Sequence, residues 1–173
     1  MSEIISGKII SAQINIELRK EVDQLKTKGI DPCLAVVLVG EDPASEVYVR
    51  NKKRTCEEIG IRSIGHNFPD TTTQEEMETL VQSLNADPAI HGILCQFPLP
   101  GDLDETQVIQ TISPEKDVDG LHPMNAGLIA MGHPRFISCT PYGVLQMIKR
   151  SGISTSGKNA VVLGRSNLVG RPI

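Results

Sequence analysis

From Ile10 to Leu25 the apolar residues Ile10, Ile14, Leu18, Val22 and Leu25 recur at spacings of three and four. That period puts them on one stripe of an amphipathic helix, which must pack on something and which Gly29 brings to a stop. Leu34 to Val39 is a continuous, valine-rich apolar run closed by Gly40, the pattern of a strand buried on both faces in a parallel sheet. Asp42 then offers a helix N-cap, Pro43 suits the first turn, and Gly60 ends the helix. A second strand is expected over Arg62 to Phe68. Thr73 and Glu76 form a capping-box pattern that opens a helix through Met77, Leu80, Val81 and Leu84, and a third strand follows over Ile90 to Phe97.

Strands alternating with helices at these lengths argue for an α/β layer with parallel strands, whose ligands generally sit at the carboxyl ends of the strands. The segments Pro98 to Asp104 and Ser113 to Asn125 are rich in Pro, Gly and Asp and read as surface loops. Thr140 and Pro141 start another helix, through Val144, Leu145 and Ile148 to Gly152. Asn159 to Leu163 is then expected to be a short buried strand ending at Gly164. A domain boundary is expected within Gly132 to Pro141, and no internal repeat or low-complexity tract is evident.

With 173 residues, 39% of them apolar, the chain can bury a substantial core. It reads as soluble, with the cytoplasm as default location, because no apolar run approaches the roughly 20 residues that span a bilayer and the N-terminus lacks a signal-peptide pattern. Cys33, Cys56, Cys95 and Cys139 are widely spaced, with neither a CxxC pair nor a metal-ligand spacing to His. They read as reduced thiols, and no metal site is expected. A net charge of -4 with three Phe, two Tyr and no Trp is a poor nucleic-acid platform and favours a small-molecule partner.

Tyr48 and Lys52 lie four apart on the helix after Asp42, so their side chains share one face and can converge on a ligand. Taken alone, Lys52 belongs to a basic run, Arg50 to Arg54, which is ordinarily a solvated face. Gln96 ends the third strand; its amide can accept from Lys52 while donating elsewhere. A neutral partner favours a neutral lysine, whereas a carboxylate would favour the charged form.

The wider strings carry more. Ser45-Glu46-Val47-Tyr48-Val49-Arg50-Asn51-Lys52-Lys53 is similar to an SxxYxxxK signature, and Gln96-Phe97-Pro98-Leu99-Pro100 to a QLPLP loop. Pro114 to Gly120 reproduces PEKDVDG, with Asn125-Ala126-Gly127 continuing it. Cys139-Thr140-Pro141 and Gly143 resemble a CTPxG turn, and Gly164-Arg165-Ser166, Val169-Gly170 and Pro172 a GRSxxVGxP phosphate loop. In this order they resemble the bifunctional methylenetetrahydrofolate dehydrogenase/methenyltetrahydrofolate cyclohydrolase family.

The resemblance implies an N-terminal α/β folate-binding catalytic domain, residues 1–138. It is followed by a linker helix and the first strand and phosphate turn of a Rossmann-like NADP-binding domain, residues 139–173. Family members run on for roughly another hundred residues, so the chain reads as a fragment. The implied chemistry is NADP-dependent oxidation of 5,10-methylenetetrahydrofolate and hydrolysis of the methenyl product to 10-formyltetrahydrofolate. Water addition to that cation needs proton management, a task a lysine performs where desolvation or a neighbouring cation favours its neutral form. The catalytic set implied is Lys52, Tyr48, Gln96 and Asp119, with Cys95 and Phe97 added as substrate contacts. Cys95 and Phe97 stand where aliphatic residues are more usual, and Ser138 where a proline often precedes the CTP turn. Asp119 would accept the paired donors of the pterin edge in fork geometry, while Asp117 would be structural. Gly164, Arg165, Ser166 and Thr140 would contact the cofactor, with Arg165 favouring NADP over NAD. A homodimer is implied. A cyclohydrolase-only enzyme and a non-catalytic folate-binding or assembly module are the alternatives.

Overall fold

The computed structural model describes residues 4–173. Its elements are α1 (Gly7–Thr27), β1 (Cys33–Val39), α2 (Pro43–Ile59), β2 (Arg62–Phe68), α3 (Gln74–Ala86), β3 (Gly92–Cys95), α4 (Glu105–Thr111), α5 (Pro123–Ala130) and α6 (Cys139–Arg150). They fall into two compact units, one of residues 18–118 and one of the described residues 4–17 with 119–173; the division falls inside α1.

In the first unit the strands form a parallel sheet in the order β2-β1-β3. Ala35 pairs with Ile64 on one side and Ile93 on the other. The central position of β1 explains why all but one of its side chains are buried, as its unbroken apolar run requires. Cys33, Ala35, Val37 and Val39, of one parity, pack with Met77, Val81 and Leu84 of α3, with Val108 of α4 and with Ile112 just past its end. Val36 and Leu38, of the other parity, are also buried, on the sheet covered by α2 with its buried Cys56 and Ile59. β2 is an edge strand, and its burial alternates along much of its length.

The helix signals act as read. Asp42 Oδ2 accepts from Ser45 N at 2.8 Å, and Gly60 closes α2 at φ 87°. Thr73 and Glu76 make the reciprocal capping box of α3. Three expectations need correction. β3 is shorter than Ile90 to Phe97, although Gln96 N still reaches Val37 O at 2.9 Å. The loop expected over Ser113 to Asn125 contains the start of α5, and a short helix, α4, follows Asp104, whose carboxylate caps it. Asn159 to Leu163 forms no strand: Val161 is 86% and Leu163 97% exposed. An apolar run becomes a strand only against a neighbour that pairs its backbone, and none among the described strands does so here. Residues 167–172 are turns.

The segment before Asp119 is fastened to the end of α3. Lys116 Nζ donates to the carbonyls of Leu84, Asn85 and Asp87 at 2.9, 2.8 and 2.7 Å. These include last-turn carbonyls that a helix leaves unpaired. Asn85 adds Nδ2 to Thr111 O at 2.7 Å and accepts from Ser113 N at 2.8 Å. Ile93 N donates to Lys116 O at 2.7 Å, and Ile93 bridges to Asp117 in parallel sense. Gly92 is required there: a Cβ would lie 2.5 Å from Val118 Cγ1.

In the second unit Gly120, at φ 66°, is buried against the backbone of residues 136–138, where a Cβ would meet Ser138 N at 3.1 Å. Arg150 grips Glu17 as a fork, with bonds of 2.8 and 2.7 Å.

Candidate active site

The Asp42 cap fixes where α2 begins and therefore which face Tyr48 and Lys52 share. Hydrogen bonding, chiefly from the Ser45 N–H, holds the Asp42 carboxyl below the usual range, so the cap is charged at neutral pH. Four residues on, Lys52 is half-buried and its Nζ lies 3.1 Å from Gln96 Oε1. Gln96 stands at the carboxyl end of β3, where parallel sheets present ligand-binding groups. Its Nε2 donates to Phe97 O at 2.9 Å. That second bond sets the amide's orientation, because a flipped amide would aim donor at donor and acceptor at acceptor. Tyr48 is 62% exposed, leaving a ring face available to a planar ligand.

Two expected contacts change character. Cys95 is 2% exposed and packs in the α3-side core, the face opposite to that of its neighbour Gln96 by strand alternation. It is a core residue. Phe97 likewise packs its ring against that core and contributes its carbonyl to Gln96.

Asp119 belongs to the second unit. It is half-buried, and Cys139 Sγ lies 3.6 Å from its Oδ1, within the range of a thiol donating to a carboxylate. Sequence reasoning placed Cys139 only in a turn motif; the spacing of twenty residues between the two hides the contact. Asp117 is buried at the β3 bridge, as a structural residue would be.

Thr140 is exposed in the first turn of α6. Gly164, Arg165 and Ser166 are exposed just before the turn of residues 167–172. Ser166 Oγ accepts from Val169 N at 3.1 Å and Gly170 N at 3.4 Å, and Gly170 sits so close to Gly164 that a Cβ would collide with its backbone. The exposed Arg165 guanidinium stands beside this glycine-closed turn.

Cys33 and Cys56 are pushed up by burial, so neither supplies a thiolate near neutral pH. No group of three metal-ligating side chains occurs among the described residues, and no described helix is long and apolar enough to cross a membrane.

In parallel α/β units small-molecule sites generally lie at the carboxyl ends of the strands, where this lysine and amide meet. Comparison with known proteins identifies the family. Residues 5–119 match the tetrahydrofolate dehydrogenase/cyclohydrolase catalytic domain, and residues 138–173 match the NAD(P)-binding domain of the same proteins. The chain belongs to the tetrahydrofolate dehydrogenase/cyclohydrolase family.

The chain is 53% identical over 173 residues to the bifunctional protein FolD of Agathobacter rectalis, covering 100% of this chain and 62% of that protein. Against the Geobacillus thermodenitrificans FolD it is 54% identical, covering 99% of this chain and 61% of the relative. The chain thus spans about three fifths of these relatives. Among solved structures, the Campylobacter jejuni FolD dehydrogenase/cyclohydrolase superposes with a TM-score of 0.96 at 44% identity, covering 98% of this chain and 61% of that one. A Trypanosoma brucei enzyme complexed with NADP cofactor and inhibitor gives 0.93 at 35% identity, covering 99% and 59%.

Proposed function

We propose that the intact protein oxidises 5,10-methylenetetrahydrofolate with NADP and hydrolyses the resulting 5,10-methenyl cation to 10-formyltetrahydrofolate. The observation that carries this reading is the Lys52 Nζ to Gln96 Oε1 contact of 3.1 Å at the end of β3. Gln96 Oε1 accepts a hydrogen bond from the amine and adds no charge, so it orients Lys52. In the hydrolysis, water adds to the bridging carbon and Lys52 takes the proton it loses. The C–N5 bond then breaks as the carbonyl forms, and the proton leaving the hydroxyl passes to N5. One proton is released overall. Tyr48 stacks on the substrate, and Asp119 accepts the paired donors of its pterin edge.

NADP, when bound, supplies the hydride acceptor. Gly164, Arg165 and Ser166 would hold its phosphates, with Thr140 a further contact; the closed turn and its exposed guanidinium support this. A division into a catalytic domain of residues 1–138 and a cofactor-domain segment from 139 on is supported by the family matches at 5–119 and 138–173. A cytoplasmic homodimer completes the reading, supported by the family resemblance and by described helices too short or too polar for a membrane.

The test is to assay the intact protein for both NADP-dependent oxidation of methylenetetrahydrofolate and hydrolysis of methenyltetrahydrofolate above the spontaneous rate. Both activities are expected. Hydrolysis alone would identify a cyclohydrolase-only enzyme, and neither would leave a binding module.

A further inference from the structure

The Lys52–Gln96 contact is joined by a further hydrogen bond to the loop that follows β3. Gln96 presents Oε1 to Lys52 because its Nε2 is held by Phe97 O. The direction of the Phe97 carbonyl is a property of the backbone from Gln96 to Pro100, which lies beyond the last residue of β3. That backbone is pinned at one end by Gln96 N on Val37 O, at 2.9 Å. At the other end the N–H of Leu99, a buried residue, donates to Glu105 Oε1 at 2.8 Å. Pro98, between them, has no N–H to offer.

Glu105 is itself firmly placed. It opens α4, where Asp104 Oδ1 caps the helix by accepting from Thr106 N at 2.9 Å and Gln107 N at 3.2 Å. Asp104 N in turn donates to Gln74 Oε1 of the α3 first turn at 2.9 Å. Val108 of this helix and Ile112 at its C-terminal cap root it in the core cluster that also holds Leu99. A carboxylate on a rooted helix is therefore the second anchor of the loop that aims the Gln96 amide.

We propose that Glu105 is a positioning residue for the Lys52–Gln96 pair, acting through the Leu99 N–H and the Phe97 carbonyl. The proposal rests on the reading of Lys52 and Gln96 as the reacting pair. What matters is the acceptor oxygen at its present reach, not the charge. Glutamine keeps that oxygen and loses the charge; aspartate keeps the charge at the helix start and is one methylene too short.

The experiment is steady-state hydrolysis of methenyltetrahydrofolate by the intact protein carrying Glu105→Ala, Glu105→Asp or Glu105→Gln, with Lys52→Met alongside. Loosening the amide is expected to lower kcat about tenfold for Ala and Asp, within the range found for small misplacements of reacting groups, with folate KM little changed. Gln should restore both the rate and the wild-type pH profile. If the Ala variant is not recovered folded, the Gln and Asp variants decide, since a charge effect would give the reverse order: Asp active, Gln impaired. That order overturns the proposal. Wild-type kcat in the Ala and Asp variants with an inactive Lys52→Met overturns the role of Glu105 alone. Wild-type turnover by Lys52→Met overturns the reading of the pair and the proposal with it.

Discussion

Replacing Lys116 by Met removes one ammonium that serves three carbonyls and leaves an apolar stem of similar length in place. A hydrogen bond involving a charged group contributes about 1.5 to 3 kcal/mol. Three bonds from one nitrogen do not add, because they share a single charge and a single desolvation. The helix-terminus term at α3 adds about 0.3 to 1 kcal/mol. Lys116 is only partly buried, so water reaches some of the abandoned carbonyls and the net loss should be about 2 to 3 kcal/mol. For a domain of this size that corresponds to a melting-temperature fall of roughly 5 to 10 °C. Urea unfolding should show a lower midpoint at constant slope. Amide exchange at Ile93 N–H, which donates to Lys116 O, should accelerate more than exchange in α2. An unchanged midpoint with unchanged Ile93 exchange would refute the view that Lys116 fastens the segment leading to Asp119.

Asp119→Ala is expected to weaken folate binding by about 2 to 3 kcal/mol, the cost of losing a charged partner, while NADP affinity hardly changes. Titration showing unchanged folate affinity with a lower melting temperature would make Asp119 a loop-structuring residue instead. Asp42→Ala should lower the melting temperature at neutral pH by removing the α2 cap. Because the folded-state pKa of Asp42 is depressed, the cap's contribution is present above the ordinary carboxylate pKa and is lost as pH falls through the folded value. The wild-type and variant melting curves should therefore converge in strong acid, and a gap that persists there would contradict the charged-cap assignment.

The parts of the fold legible in the sequence are those where local chemistry and tertiary packing agree. β1 is an unbroken apolar run and lies at the centre of the sheet; α2 begins and ends where Asp42 and Gly60 dictate, and α3 begins where Thr73 and Glu76 do. α4 was hidden because seven residues carry too few periods to register, and α5 because PMNAGLIA is apolar on nearly every side. The strand expected at Asn159 to Leu163 fails for a different reason: strand formation is a property of a pair, and an apolar run states nothing about its partner. At the site, Lys52 and Gln96 were legible as candidates, and their distance bears on that reading. Glu105 and Lys116 were not. Each binds a backbone group that is distant in sequence or in an irregular loop, and a charged side chain bound to a carbonyl or N–H leaves no periodicity to read.

Whether Lys52 is the base that manages the proton of the attacking water is tested most directly by Lys52→Met in the intact protein. Lysine and methionine have similar helix propensities, so α2 should remain folded and the circular dichroism spectrum unchanged. The measurement is the rate of methenyltetrahydrofolate hydrolysis by this variant relative to the spontaneous rate. Hydrolysis indistinguishable from the spontaneous rate in a folded variant is the expected result, and near-wild-type turnover would contradict the assignment of the active site.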